Sequence, residues 1–220
     1  MIAHRHLAQL FYAPFKNVIW KYPSHQNQIY LTFDDGPYPP VTRPLLEALS
    51  DYRIPATFFL SGENIVRYRK TARELDYSGH QLGNHLFHHL PLWELPLGKR
   101  SKRKLLKEID FTDRLIFNHF NQLPKLLRPP YGIFNPTALS ILDSTAKQMV
   151  LWSLMAYDFK WDEQKILRHL IRHCTAGDIV VFHDSPKTEP VLMKVLPRFV
   201  EHCRAKGWSF SLIRLETFGK

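Results

Sequence analysis

Seven short runs rich in β-branched and aromatic residues alternate along this chain with six longer stretches of helical periodicity. The runs fall at 28–33, 55–60, 80–83, 125–128, 148–153, 178–182 and 208–213. The helical stretches fall at 41–50, 63–77, 101–120, 136–145, 162–173 and 190–205. Strands separated by helices return in the same direction, so the pattern predicts a parallel α/β sheet or barrel. At 220 residues the chain is long enough for one sizeable core. No repeat, low-complexity tract or linker divides it, and a single domain is expected over 27–220. Residues 1–26 read as an N-terminal arm packed on that domain. Leu7 to Phe15 is apolar but broken by Gln9 and Pro14. That break makes a poor secretory signal, and no run is long and apolar enough to span a bilayer. The absence of a clear signal leads to a cytoplasmic expectation, with cell-envelope association as the alternative.

The polar residues have a shared register. Asp34 and Asp35 follow the first expected strand, His85 the third, Arg128 the fourth, Asp158 the fifth and His183 the sixth. In an α/β barrel the C-terminal strand ends form one face, where chemistry is assembled.

Each of these segments has a chemical reading. Leu31-Thr32-Phe33-Asp34-Asp35-Gly36-Pro37 ends a strand in two adjacent carboxylates, which repel each other unless a cation lies between or beside them. One can bind a metal while the other stays free as a base. Gly36 and Pro37 end the regular strand geometry, which lets both carboxylates turn to one pocket. His85-Leu86-Phe87-His88-His89 offers two imidazoles to one cation, either His85 with His89 on a helical turn or His85 with His88. Two histidines with a carboxylate, which Asp35 supplies, form a set that binds Zn²⁺ with a position left for water. Arg128 presents a planar donor fork suited to orienting Asp34. Pro129 and Pro130 stiffen the following turn, so that the Tyr131 amide is preset as an oxyanion donor. His183 suits a general acid, and Asp158 can pair with it and hold its proton.

In order, these segments resemble the motifs of the polysaccharide deacetylase family, the NodB-homology domain of carbohydrate esterase family 4. Thr32-Phe33-Asp34-Asp35-Gly36-Pro37 is similar to its first motif, His85 through His89 to its second, Arg128 through Gly132 to its third, Asp158-Phe159 to its fourth and Phe182-His183 to its fifth. The resemblance runs from about Gln28 to Ile213. It implies a distorted (β/α) barrel, probably of seven strands, and metal-dependent removal of acetyl groups from sugars. It implies that Asp35, His85 and His89 bind the metal and that Asp34 is the general base, oriented by Arg128. The Tyr131 amide would hold the oxyanion, and His183 would be the general acid, tuned by Asp158. Three positions depart from the pattern: Leu86 replaces a Ser or Thr that braces the metal loop, Met155 replaces a frequent Asp, and Phe159 replaces a Trp.

The expected metal is Zn²⁺, with Co²⁺ and Ni²⁺ able to accept the same donors. The expected substrate is an N-acetylated amino sugar in a polysaccharide or oligosaccharide such as peptidoglycan or a chitin-like polymer. An O-acetyl esterase or a small-amide hydrolase is the alternative enzyme, and a silent basic polymer-binding module the alternative of another class. Formal charge is +10, concentrated at Lys99-Arg100-Ser101-Lys102-Arg103-Lys104 with Lys107 beyond. A charge run of this kind attracts nucleic acid, acidic glycan or lipid headgroups, but its default role is a solvated helix face. No nucleic-acid partner is expected. Two cysteines, Cys174 and Cys203, make no disulfide framework.

Overall fold

The computed structural model describes residues 15 and 17–215. The greater part of the expected N-terminal arm, residues 1–14 and 16, lies outside the described residues. Nine strands are present among the described residues: β1 Val18–Ile19, β2 Gln28–Asp34, β3 Thr57–Leu60, β4 Gln81–Asn84, β5 Leu126–Leu127, β6 Gln148–Val150, β7 Leu154–Met155, β8 Ile179–His183 and β9 Ser209–Phe210. The helices are α1 Pro39–Asp51, α2 Gly62–Arg67, α3 Arg69–Ala72, α4 Lys99–Phe120, α5 Pro136–Thr145, α6 Glu163–His173 and α7 Leu192–Ala205. All ladder pairings are parallel, in the order β1-β6-β5-β4-β3-β2-β8-β7, with β9 against the start of β2.

The expected parallel α/β barrel is therefore present, but its path has eight strands rather than seven. Three differences account for the count: the run expected at 208–213 forms β9, which lies off that path against β2, and two strands are added. Val18–Ile19, too short to show a strand pattern in sequence, pairs with β6. The single run expected at 148–153 is broken into β6, which pairs with β5, and β7, which pairs with β8. Residues 151–153 carry the chain from β6 to β7, and an isolated bridge between Lys21 and Asp178 links the segment after β1 to the start of β8. The helix expected at 63–77 is also divided, at Tyr68, and ends at Ala72. Leu75 and Tyr77 leave it to be buried, Tyr77 against Phe58 and Phe120.

Alternation along the strands fixes what faces the barrel interior. On β2, Ile29, Leu31 and Phe33 join the core beneath the helices, whereas Tyr30 joins the inner cluster with Phe59, Leu126, Val150 and Ile179. Phe33 stacks between Phe58 of β3 and Phe182 of β8. By the same parity Thr32 and Asp34 turn inward with Tyr30. Asp34 pairs in register with His183 across the β2–β8 ladder, so two titratable residues meet at the C-terminal edge of the barrel.

Candidate active site and metal centre

Arg128 occupies the seam left between β6 and β7. It is fully buried. Its Nη1 donates to Asp34 Oδ1 and to Thr32 Oγ1, both at 2.7 Å. Its Nε donates to the Val150 carbonyl at 3.1 Å and its Nη2 to the Leu151 carbonyl at 2.9 Å. The guanidinium plane lies 4.1 Å from the centre of the Phe59 ring. One side chain thus satisfies carbonyls that no strand reaches and fixes the Asp34 carboxylate.

Regular strand geometry would turn Asp35 away from Asp34. The strand ends at Asp34, as expected before Gly36 and Pro37, and Asp35 itself makes the turn in a left-handed conformation with φ 76°. Asn64 Nδ2 donates to the Asp35 carbonyl at 2.7 Å, and the Ser61 amide donates to the Gly36 carbonyl at 2.8 Å. Asp184 backs the same turn. Its amide donates to the Asp34 carbonyl at 2.7 Å and its Oδ2 accepts from Thr42 Oγ1 at 2.7 Å. A Cβ at position 36 would lie 2.4 Å from Asp184 Oδ2, so only glycine fits there. Burial pushes the Asp184 carboxyl up to about 8, against the Thr42 hydrogen bond.

His85 and His89 do not lie on a helical turn as expected. β4 ends at Asn84, and the histidines sit in an irregular loop turned by Leu86 at φ 66°. The loop nevertheless brings both imidazoles to Asp35: each Nε2 is 3.5 Å from Asp35 Oδ1. His88, the alternative partner of His85, points elsewhere. Its Nδ1 lies 2.9 Å from Glu108 Oε1, and its amide donates to Glu108 Oε2 at 2.9 Å. Glu108, from α4, thus clamps the loop. Asn84 Oδ1 accepts from the Leu86 amide at 2.8 Å, and the Gly62 and Glu63 amides bond the Leu86 and Phe87 carbonyls. These contacts brace a loop in which the buried Leu86 has no hydroxyl to offer.

The donor set fits a divalent ion. The ligand atoms of Asp35, His85 and His89 lie within 4.8 Å of one another. Two donors about 2.1 Å from a tetrahedral ion are themselves about 3.4 Å apart, close to the spacing seen here. The Arg128 carbonyl lies 2.8 Å from His85 Nδ1 and can only accept, so Nδ1 carries a proton and Nε2 is turned to Asp35; it donates to the carboxylate when the ring is charged and offers a lone pair to an ion when the ring is neutral. Burial works against the Asp35 charge. The His85 hydrogen bond and the charges of His85, His183 and His89 outweigh it and hold the carboxyl down at about 2. Burial and the neighbouring His85 hold His89 below the ordinary imidazole value.

His183 closes the other side. Asp158 accepts from the His183 amide at 2.7 Å and from its Nδ1 at 2.8 Å. This leaves Nε2 as the free edge of the ring. Burial disfavours the imidazolium, but the Asp158 hydrogen bond and the charges of Asp158, Asp34 and Asp35 push His183 up to about 9. Phe159, where the family carries Trp, sets its ring 5.0 Å from the His183 ring. Tyr131, 54% exposed, turns at φ 63° in the Pro-Pro-Tyr-Gly segment with its ring 4.5 Å from that of His89 and 5.1 Å from that of Trp93. Tyr157, just before Asp158, is also left-handed, at φ 59°. Such conformations cost about 1–3 kcal/mol each in non-glycine residues, and Asp35, Leu86, Tyr131 and Tyr157 all flank the same face.

All eight expected site residues border this face. Asn64, Glu108 and Asp184 were not anticipated. Glu108 gave the clearest available signal, as an acidic residue among the apolar positions of its helix; Asn64 and Asp184 act through backbone turns that have no sequence pattern.

Known proteins are similar to this chain in sequence and fold. The family profile described as polysaccharide deacetylase matches residues 21–150. A peptidoglycan-N-acetylglucosamine deacetylase of Bacillus cereus is 29% identical over 196 residues, covering 88% of this chain and 89% of that protein. A chitooligosaccharide deacetylase of Azorhizobium caulinodans is 31% identical over 180 residues, covering 78% of this chain and 80% of that protein. Some longer relatives are covered over only 33% or 34% of their length. The CE4 family pseudoenzyme BA3943 of Bacillus anthracis shares the fold, with a TM-score of 0.78 and 22% identity over 89% of this chain and 67% of its own. Fold alone therefore does not carry activity, and the side chains at the strand ends have to be judged on their own. The profile match spans more than half of the sequence and takes in the Asp34-Asp35 turn, the His85–His89 loop and Arg128, and on that ground the chain belongs to the polysaccharide deacetylase family.

Proposed function

We propose that this protein is a metal-dependent hydrolase that removes acetyl groups from N-acetylated amino sugars in a polysaccharide or oligosaccharide. The observation that carries the reading is the convergence of Asp35, His85 and His89 beside an Arg128-anchored Asp34 and an Asp158-paired His183. The relatives named as acting on peptidoglycan and chitooligosaccharides support amino sugars as the substrate class.

Asp35, His85 and His89 would hold the ion. When bound, a divalent cation supplies Lewis-acid polarisation of the acetyl carbonyl and acidifies water. Asp34, fixed by Arg128, takes the proton of the attacking water. The Tyr131 amide donates to the oxygen that becomes negative as the carbonyl carbon turns tetrahedral. His183, protonated and held by Asp158, gives its proton to the departing nitrogen. A C–O bond forms, the C–N bond breaks, and acetate leaves with a free amine on the sugar. Met155 leaves Asp158 as the carboxylate that pairs directly with His183.

The test is acetate release from N-acetylglucosamine oligomers, peptidoglycan and acetylxylan, with and without added Zn²⁺, Co²⁺ or Ni²⁺. Acetate released in equal amount to new amine is the expected result. Ester hydrolysis alone would transfer the assignment to O-deacetylation, and silence on every substrate with metal bound would refute it.

The Glu108 clamp gives a separate expectation. Glu108→Ala frees His88 and loosens the loop that holds His85 and His89, so zinc affinity falls by about 10–100-fold. Titration calorimetry reads this without any substrate, and parental affinity in the variant would remove Glu108 from the support of the site.

A further inference from the structure

The charge on α4 has no use in the reaction. Lys99, Arg100, Arg103, Lys104 and Lys107 fall in its first turns. Lys99, Arg103 and Lys107 follow one another at four-residue spacing and form one row; Arg100 and Lys104 form the next. The buried Leu105, Ile109, Thr112 and Ile116 occupy the opposite side. All five cations are exposed, and none makes an ion pair among the described residues. No acidic residue stands in the first turn. The positive end of the helix dipole repels cations there, so the arrangement works against the helix that carries it.

Exposed apolar side chains flank this run of cations. Leu97, 70% exposed, precedes the helix. Phe111, 48% exposed, extends the Lys99–Lys107 row by one turn. Phe117, 50% exposed, lies eighteen residues beyond Lys99, which is five full turns and the same side of the helix. Asp110 and Arg114 share this side and neutralise each other in an ion pair, so the five cations keep their full charge. An acidic glycan or a nucleic acid would meet the cations and stack on Phe117, but it gains nothing from the aliphatic Leu97. A bilayer with anionic headgroups uses both, the cations at the phosphates and the apolar groups at the acyl boundary.

We propose that the outward face of α4 docks this protein on a membrane surface rich in anionic phospholipid. The docking is peripheral, since no helix among the described residues is long and apolar enough to cross a membrane. Phe111 rests on Phe87, ring centroids 4.9 Å apart, within the loop that carries His85 and His89. The docked face therefore adjoins the site without including it.

Sedimentation of the full chain with vesicles tests this. Binding is expected to vesicles of mixed phosphatidylglycerol and phosphatidylcholine and not to phosphatidylcholine alone. Each cation removed weakens binding about fivefold, so K99Q/R103Q/K107Q together should lower partition on the order of 100-fold. Leu97→Ser with Phe117→Ser should lower it about tenfold. Absence of binding to the mixed vesicles overturns the proposal, as does parental binding by the triple variant. Parental binding by the Leu97/Phe117 variant, with dextran sulfate competing against the vesicles, would assign the face to a soluble polyanion instead. Both variants are expected to hydrolyse a soluble acetylated oligosaccharide at the parental rate, so failure of docking and failure of the hydrolase reading are read separately.

Discussion

Replacing His183 by glutamine lowers amide hydrolysis by about 10²–10⁴-fold while the protein stays folded. The ring stands at the end of β8 with its Nδ1 taken by Asp158, which leaves Nε2 as the edge that can give up a proton. The pH dependence follows from the same pair. His183 is pushed up to about 9 from an ordinary 6.5, despite burial, by Asp158 and the nearby carboxylates. It keeps its proton at neutral pH, so rate falls as pH rises through the folded-state value. The stability it contributes has the matching sign: fully present below about 6.5, and lost as pH climbs through about 9. An ion at Asp35 cancels one of the supporting charges and draws that limb to lower pH. Asp158→Asn should draw it lower still, because the partner that holds the proton is gone. Kinetic profiles over pH, with circular dichroism to confirm folding, check each statement. A glutamine variant that keeps the parental rate would remove His183 from the reaction.

Replacing Arg128 by leucine costs about 3–5 kcal/mol of stability, the second large effect. The substitution leaves the buried Asp34 carboxylate without its ion pair and the Val150 and Leu151 carbonyls without donors. For a chain of this size the expected fall in Tm is roughly 10 °C. Arg128→Lys should recover little, since one ammonium cannot reach acceptors spread around a planar fork. Removing both charges, in Arg128→Leu with Asp34→Leu, should recover part of the loss because no unpaired charge remains. Calorimetry on the three variants decides the matter. A leucine variant that melts with the parent would mean that Arg128 does not seal the seam between β6 and β7.

Much of this was legible in the chain. Strand–helix alternation was enough for a parallel barrel, because each strand had its own apolar run and each helix its own periodicity. The place of Asp34, Asp35, His85, Arg128, Asp158 and His183 after successive strands put them on one face, since parallel strands all end at the same edge. The elements that escaped notice are those without a local signal. Val18–Ile19 is two residues long and owes its strand character to β6. The break between β6 and β7 is imposed from outside, by Arg128 taking two carbonyls in the middle of an apolar run.

The sequence by itself determined which groups meet, because parity along a strand and order along a parallel sheet are properties of the chain. It did not determine how they meet. Asp35 faces the histidines through a left-handed residue held by Asn64, and His89 reaches the same point through a loop that Glu108 clamps. These are contacts between segments far apart in the chain, in backbone conformations that no residue there prefers alone. Only the packed structure can hold them.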